Sequence, residues 1–100
     1  MTTAQDLIDQ DHLVMFSKTW CSYSNVAKSA LNSIGAQYTV YELNEMDNGG
    51  DIQNQLSKIS NISSVPQVFL NGKYLSDGSG TKALVKSGKL QNILKDASLL

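Results

Sequence analysis

The sequence has no arginine, and only one cysteine, one proline, one histidine and one tryptophan. Each scarcity excludes something. A single cysteine, Cys21, cannot form an intrachain disulfide, so packing alone must hold the fold. Without arginine, any anionic ligand falls to lysine, to backbone N–H groups or to helix N-termini. His12 has no cysteine or second histidine near it in sequence, so it gives no signal for a metal site. No apolar run approaches the ~20 residues that cross a bilayer. The first six residues lack the basic start and apolar stretch of a secretory signal, which leads us to expect a cytoplasmic protein that keeps its thiol reduced. Charged residues make up only 17% of the chain and the net charge is −1. That balance predicts neither nucleic acid nor an anionic membrane as partner.

What the chain does have is an ordinary apolar content, 41% over 100 residues, enough for one core and one domain spanning 1–100. Its charge is uneven: residues 1–50 carry two Lys against six acids, and residues 51–100 carry six Lys against three. Thr3 with Asp6 three residues on forms an N-terminal capping pattern for a helix running to about Asp11. Leu13-Val14-Met15-Phe16 is a short unbroken apolar run, as in a strand buried on both faces. Val26, Ala27, Ala30, Leu31 and Ile34 recur with helical spacing, and Gly35 follows where a left-handed residue would end that helix. Tyr38 to Leu43 reads as a second strand. The helix between the two strands makes them parallel.

After a polar loop from Asn44 to Gly50, Ile52, Leu56 and Ile59 mark a third helix from about Asp51 to Ser60. Gln67 to Leu70 and Lys73 to Leu75 flank Asn71-Gly72, the signature of a hairpin with a type I′ turn. Gly78-Ser79-Gly80 reads as a flexible turn into a helix from Thr81 to Ser87. Leu90, Ile93, Leu94 and Ala97 mark the last helix. The order αβαβαββαα predicts an α/β domain: a four-stranded mixed sheet with helices on both faces.

Chemistry concentrates at Cys21, where strand 1 has ended and helix 2 begins. By residue type alone a lone cysteine is ordinarily a small buried hydrophobe. At this junction, however, it meets the positive end of a helix dipole and unpaired N–H groups, which favour thiolate. Lys18 adds a positive charge three residues upstream, and Ser24 sits one helical turn downstream with a hydroxyl to donate. Pro66, directly before a strand, has two readings. It either sets where the strand starts, or forms a cis bond that turns the Val65 backbone toward Cys21.

Taken together, Phe16-Ser17-Lys18-Thr19-Trp20-Cys21-Ser22-Tyr23-Ser24, Ser64-Val65-Pro66-Gln67-Val68-Phe69-Leu70-Asn71-Gly72-Lys73 and Ser87-Gly88-Lys89-Leu90 resemble the glutaredoxins, within the thioredoxin-like fold. The resemblance covers about Val14 to Leu94. Its active-site motif is Trp20 with Cys21-Ser22-Tyr23-Ser24, a serine standing where dithiol members carry a second cysteine. The resemblance implies that Cys21 is the nucleophile and Tyr23 a wall of a glutathione site. It implies that Lys18 approaches a glutathione carboxylate, Gln53 the glycine end, and Val65 the cysteinyl backbone, with Pro66 cis. Gly78 and Ser79 would supply N–H groups to the γ-glutamyl end. Two departures weaken that site: Ser63-Ser64 replaces a cationic clamp, and Asp77 is displaced from the usual place of an acid.

The function implied is a glutathione-dependent thiol–disulfide oxidoreductase that works by a monothiol mechanism on glutathionylated proteins, as a monomer. An alternative is a dimer in which two Cys21 thiolates and two glutathiones ligate a 2Fe–2S cluster. A third reading is a thioredoxin-like binding module with an inert thiol.

Overall fold

In a computed structural model, which describes residues 2–100, the helices and strands follow the expected order. They are α1 (Ala4–Gln10), β1 (Leu13–Ser17), α2 (Ser22–Ser33), β2 (Thr39–Glu42), α3 (Gly49–Ser60), β3 (Gln67–Leu70), β4 (Lys73–Ser76), α4 (Gly78–Lys86) and α5 (Lys89–Asp96). A single 3-10 turn, Leu43–Glu45, lies between β2 and α3. The four strands form one sheet in the order β2-β1-β3-β4. β1 runs parallel to β2 and antiparallel to β3, which in turn pairs antiparallel with β4. This is the thioredoxin-like α/β arrangement.

β1 is the centre of the molecule, and all five of its residues are buried. Side chains alternate across a strand, so Val14 and Phe16 join the core under α1 and α3 with Ile8, Ile52, Leu56 and Phe69. Leu13 and Met15 point the other way, into a second core with Ala27, Leu31, Val68, Leu90 and Leu94. The unbroken apolar run of β1 is therefore the consequence of a sheet covered on both sides. Tyr41 stacks on Phe16, and Tyr74 meets Phe69 edge to face, both at 5.7 Å between ring centres.

The local signals hold in detail. Thr3 and Asp6 exchange bonds as a capping box. α2 ends with Gly35 at φ +69°, where the Gly35 N–H donates to Asn32 O and the Ala36 N–H to Leu31 O; this is a Schellman motif. Asn71 and Gly72 both have positive φ, as the type I′ hairpin turn needs. Two boundaries differ from expectation by more than one residue. α3 begins two residues early, and Gly49 explains why. A Cβ there would lie 1.9 Å from the Leu43 carbonyl oxygen, so only glycine lets the helix start against the preceding turn. Likewise Gly78-Ser79-Gly80 is no flexible turn but the first turn of α4, because the Asp77 side chain caps it.

Candidate functional site

The carboxyl end of β1 delivers the chain through Lys18–Trp20 to Cys21, the N-cap residue of α2. The Cys21 N–H closes that turn on Lys18 O at 3.1 Å, and the Cys21 carbonyl accepts the first helical bond, from the Asn25 N–H. Its side chain makes no capping bond. The thiol instead faces the Val65 carbonyl, 3.8 Å away. Burial pushes the Cys21 thiol up, but the Ser24 hydroxyl and N–H, the Tyr23 N–H and the Lys18 charge together outweigh it, and the net displacement is downward. The thiolate is therefore favoured by the dipolar end of α2 and by one lysine, as the position in sequence requires.

Ser24 is fully buried, and its Oγ accepts from the Lys18 N–H at 3.4 Å. It thus ties the turn before Cys21 to the helix after it. Lys18 Nζ lies 5.4 Å from the centre of the Trp20 ring. Trp20 and Tyr23 are 70% and 64% exposed, so neither is a core residue, and both flank the thiol in solvent.

The Val65–Pro66 bond is cis, as the second reading of Pro66 anticipated. What holds that loop is a residue the sequence reading passed over. Gln67, fully buried, donates from Nε2 to Ile62 O at 2.7 Å and to Ser64 O at 3.0 Å, and its Oε1 accepts from Ser60 Oγ at 2.8 Å. A buried carboxamide with three partners fixes the loop that presents Val65. The signal was present: a polar residue opens a strand whose next positions are all apolar.

Beside the thiol lies a groove of about 210 Å³ lined by Tyr23, Ser64, Val65, Pro66, Asp77, Gly78 and Ser79. Gly78 is where its walls converge, since a Cβ there would sit 2.6 Å from Tyr23 O and 3.2 Å from Pro66 Cγ. Asp77 Oδ1 accepts from the Gly80 N–H at 2.7 Å and from Ser79 Oγ at 3.3 Å. The acid that the sequence comparison left displaced therefore belongs to the lining. Lys18 and Gln53 do not. Gln53, on α3, gives its Nε2 to Ser63 O at 2.8 Å, bracing the same loop from behind.

A lone thiol with lowered pKa at a strand–helix junction, opposite a cis-proline loop in a β2-β1-β3-β4 sheet, defines a thioredoxin-like thiol–disulfide oxidoreductase. The comparisons with known proteins narrow the class. The glutaredoxin family model matches residues 13–75. A glutaredoxin from Vernicia fordii is 38% identical over 97 residues, covering 97% of this chain and 93% of that protein. The crystal structure of oxidised glutaredoxin 2 from Chlamydomonas reinhardtii superposes with a TM-score of 0.89 at 38% identity, covering 96% of this chain and 91% of that one. The buckwheat glutaredoxin–glutathione complex gives a TM-score of 0.89 at 32% identity, covering 97% and 88%. The chain belongs to the glutaredoxin family, as a glutathione-dependent oxidoreductase that acts through a single cysteine. The inert-module reading falls with that assignment.

Proposed function

We propose that the protein removes glutathione from protein–glutathione mixed disulfides by monothiol exchange. The observation that carries this is the placing of the only cysteine, 3.8 Å from Val65 O at the edge of a groove lined by the Val65-Pro66 loop and the start of α4. The Cys21 thiolate attacks the glutathione sulfur. A Cys21–glutathione disulfide forms, the original disulfide breaks, and the protein leaves as a thiolate that takes up a proton. The thiolate of a second glutathione then attacks the bound glutathione sulfur. Oxidised glutathione departs and the Cys21 thiolate is restored, so the mixed disulfide is reduced at the expense of one free glutathione thiol, the other half of the oxidised glutathione having come from the substrate.

The groove serves this cycle by holding the glutathione half, so that attack falls on the right sulfur. We assign the Val65 backbone to the cysteinyl part of the tripeptide. The γ-glutamyl end goes to the N–H groups of Gly78 and Ser79 at the positive end of α4, with Asp77 as the acid for its ammonium. Tyr23 forms the opposite wall. Lys18 acts on the thiolate and on a glutathione carboxylate entering beside the groove; Gln53 acts on the glycine end if Ser63 releases it. That the similar buckwheat glutaredoxin forms a complex with glutathione supports glutathione as the ligand. We further propose a monomer working in the cytoplasm or another compartment rich in reduced glutathione, to be checked by gel filtration and by imaging a tagged chain.

The cluster alternative asks for four thiolates. In the dimer weighed above each chain supplies one of these, Cys21, and glutathione the other two; the similarity to glutathione-dependent oxidoreductases favours the exchange reaction as the main reading. The deciding experiment is glutathione-coupled reduction of a small glutathione mixed disulfide. Wild type should turn over and Cys21→Ser should not; equal rates for the two would refute the proposal.

A further inference from the structure

A second and larger cleft, about 590 Å³, runs between α2 and α4 on the side away from the β-sheet core. Its apolar part is made by Val26 and Ala30 of α2 and Val85 of α4, and it extends from Ser22 to Ser33. That length is about 16 Å at the helical rise per residue, the span of roughly five residues of extended chain. Lys82 and Lys86, one helical turn apart and both exposed, form the α4 rim. Neither α2 nor α4 contains an acid. Among the described residues the ion pair found is Lys28–Glu42, so neither rim lysine is in an ion pair with a described side chain.

The cleft begins at the catalytic residue's neighbour. Ser22 lines it, while Tyr23, the next residue, lines the smaller groove assigned to glutathione. Thiol–disulfide exchange places the attacking, central and leaving sulfurs close to a line, so the leaving protein sulfur departs on the side of the glutathione sulfur opposite Cys21, only two sulfur–sulfur contacts from it. The chain carrying that sulfur needs a surface to rest on, and this cleft opens at Ser22, the residue beside Cys21.

From its apolar floor, its unpaired lysines and its contact with the Cys21 end of α2, we infer that the cleft between α2 and α4 seats the protein half of the mixed disulfide, selecting segments that combine acidic residues with an apolar anchor. The inference rests on the monothiol reading above and names the substrate class of the same site. Charge and apolar area on one partner call for the opposite charge and matching apolar area on the other.

The test uses three glutathionylated substrates. Two are peptides with the same cysteine and leucine anchor, one flanked by Asp and Glu, the other by Lys. The third is the glutathione–cysteamine disulfide, which has no peptide to dock. Wild type should favour the acidic peptide in kcat/KM by about ten-fold at low ionic strength, with the preference shrinking as salt screens the lysines. Lys82→Glu/Lys86→Glu should reverse the preference and leave turnover of glutathione–cysteamine unchanged, with circular dichroism confirming the fold. Equal kcat/KM for the two peptides in wild type, or a preference that survives charge reversal, overturns the docking assignment. Failure to turn over glutathione–cysteamine would instead overturn the monothiol reading.

Discussion

Ser24 occupies the position one turn beyond the nucleophile, and its hydroxyl has two partners in view: the Lys18 N–H and the Cys21 sulfur it helps to ionise. Removing that hydroxyl should raise the thiol pKa. Ser24→Ala is therefore expected to alkylate more slowly than wild type at neutral pH, with the midpoint of its rate–pH profile moved upward. An unchanged profile would assign the effect to the helix end alone. The same displacement links ionisation to folding. The Cys21 thiol has an ordinary value of 9.0 and a lower one when folded. Its contribution to stability is thus complete above 9.0 and disappears as pH falls through the folded value. Ser24 also marks the chemical limit of the site, because a buried hydroxyl cannot resolve a disulfide as a thiol would.

At the scale of elements, two glycine contacts set the shape of the site's surroundings. Gly49 lets α3 begin against the Leu43 carbonyl, and α3 carries Gln53, which braces the loop before Val65. Gly49→Ala must move either that turn or the helix. It is expected to lower stability by about 1–3 kcal/mol in urea unfolding, and to raise the KM for a glutathione substrate more than it lowers kcat. These contacts also show why the sequence was legible in some places and not in others. Capping boxes, Schellman ends and Asn-Gly hairpins are decided by residues within a few positions, so Thr3, Gly35 and Asn71-Gly72 announced them. The start of α3 is decided by Leu43, across a turn, and the start of α4 by the Asp77 side chain. A Gly-Ser-Gly run has poor helix propensity, which the cap and packing override. The nucleophile and the groove residues around Val65 could be read from motif and topology. The hydrogen bonds of Gln67, and the diversion of Gln53 to Ser63, depend on loop geometry that no local pattern encodes.

On the scale of the whole molecule, the two cores share β1. Val14 and Phe16 anchor one, Leu13 and Met15 the other. Damage on either side should therefore destabilise both. Ile52→Ala, under α3, and Leu94→Ala, under α5, are each expected to cost about 2–5 kcal/mol. Unfolding followed by far-ultraviolet circular dichroism should coincide with unfolding followed by Trp20 fluorescence, which reports from the site. Separate transitions would mean that the faces unfold independently.

The solitary thiol has one more consequence, for what limits the proposed cycle. A chain with two thiols could finish its reaction alone and wait, oxidised, for any reductant. Here the first exchange leaves Cys21 capped, and only an incoming glutathione can uncap it. Once free glutathione becomes scarce, the capped form accumulates and the enzyme idles. Its occupancy would then register the state of the cellular thiol pool, making the protein a gauge of the same reservoir that drives it.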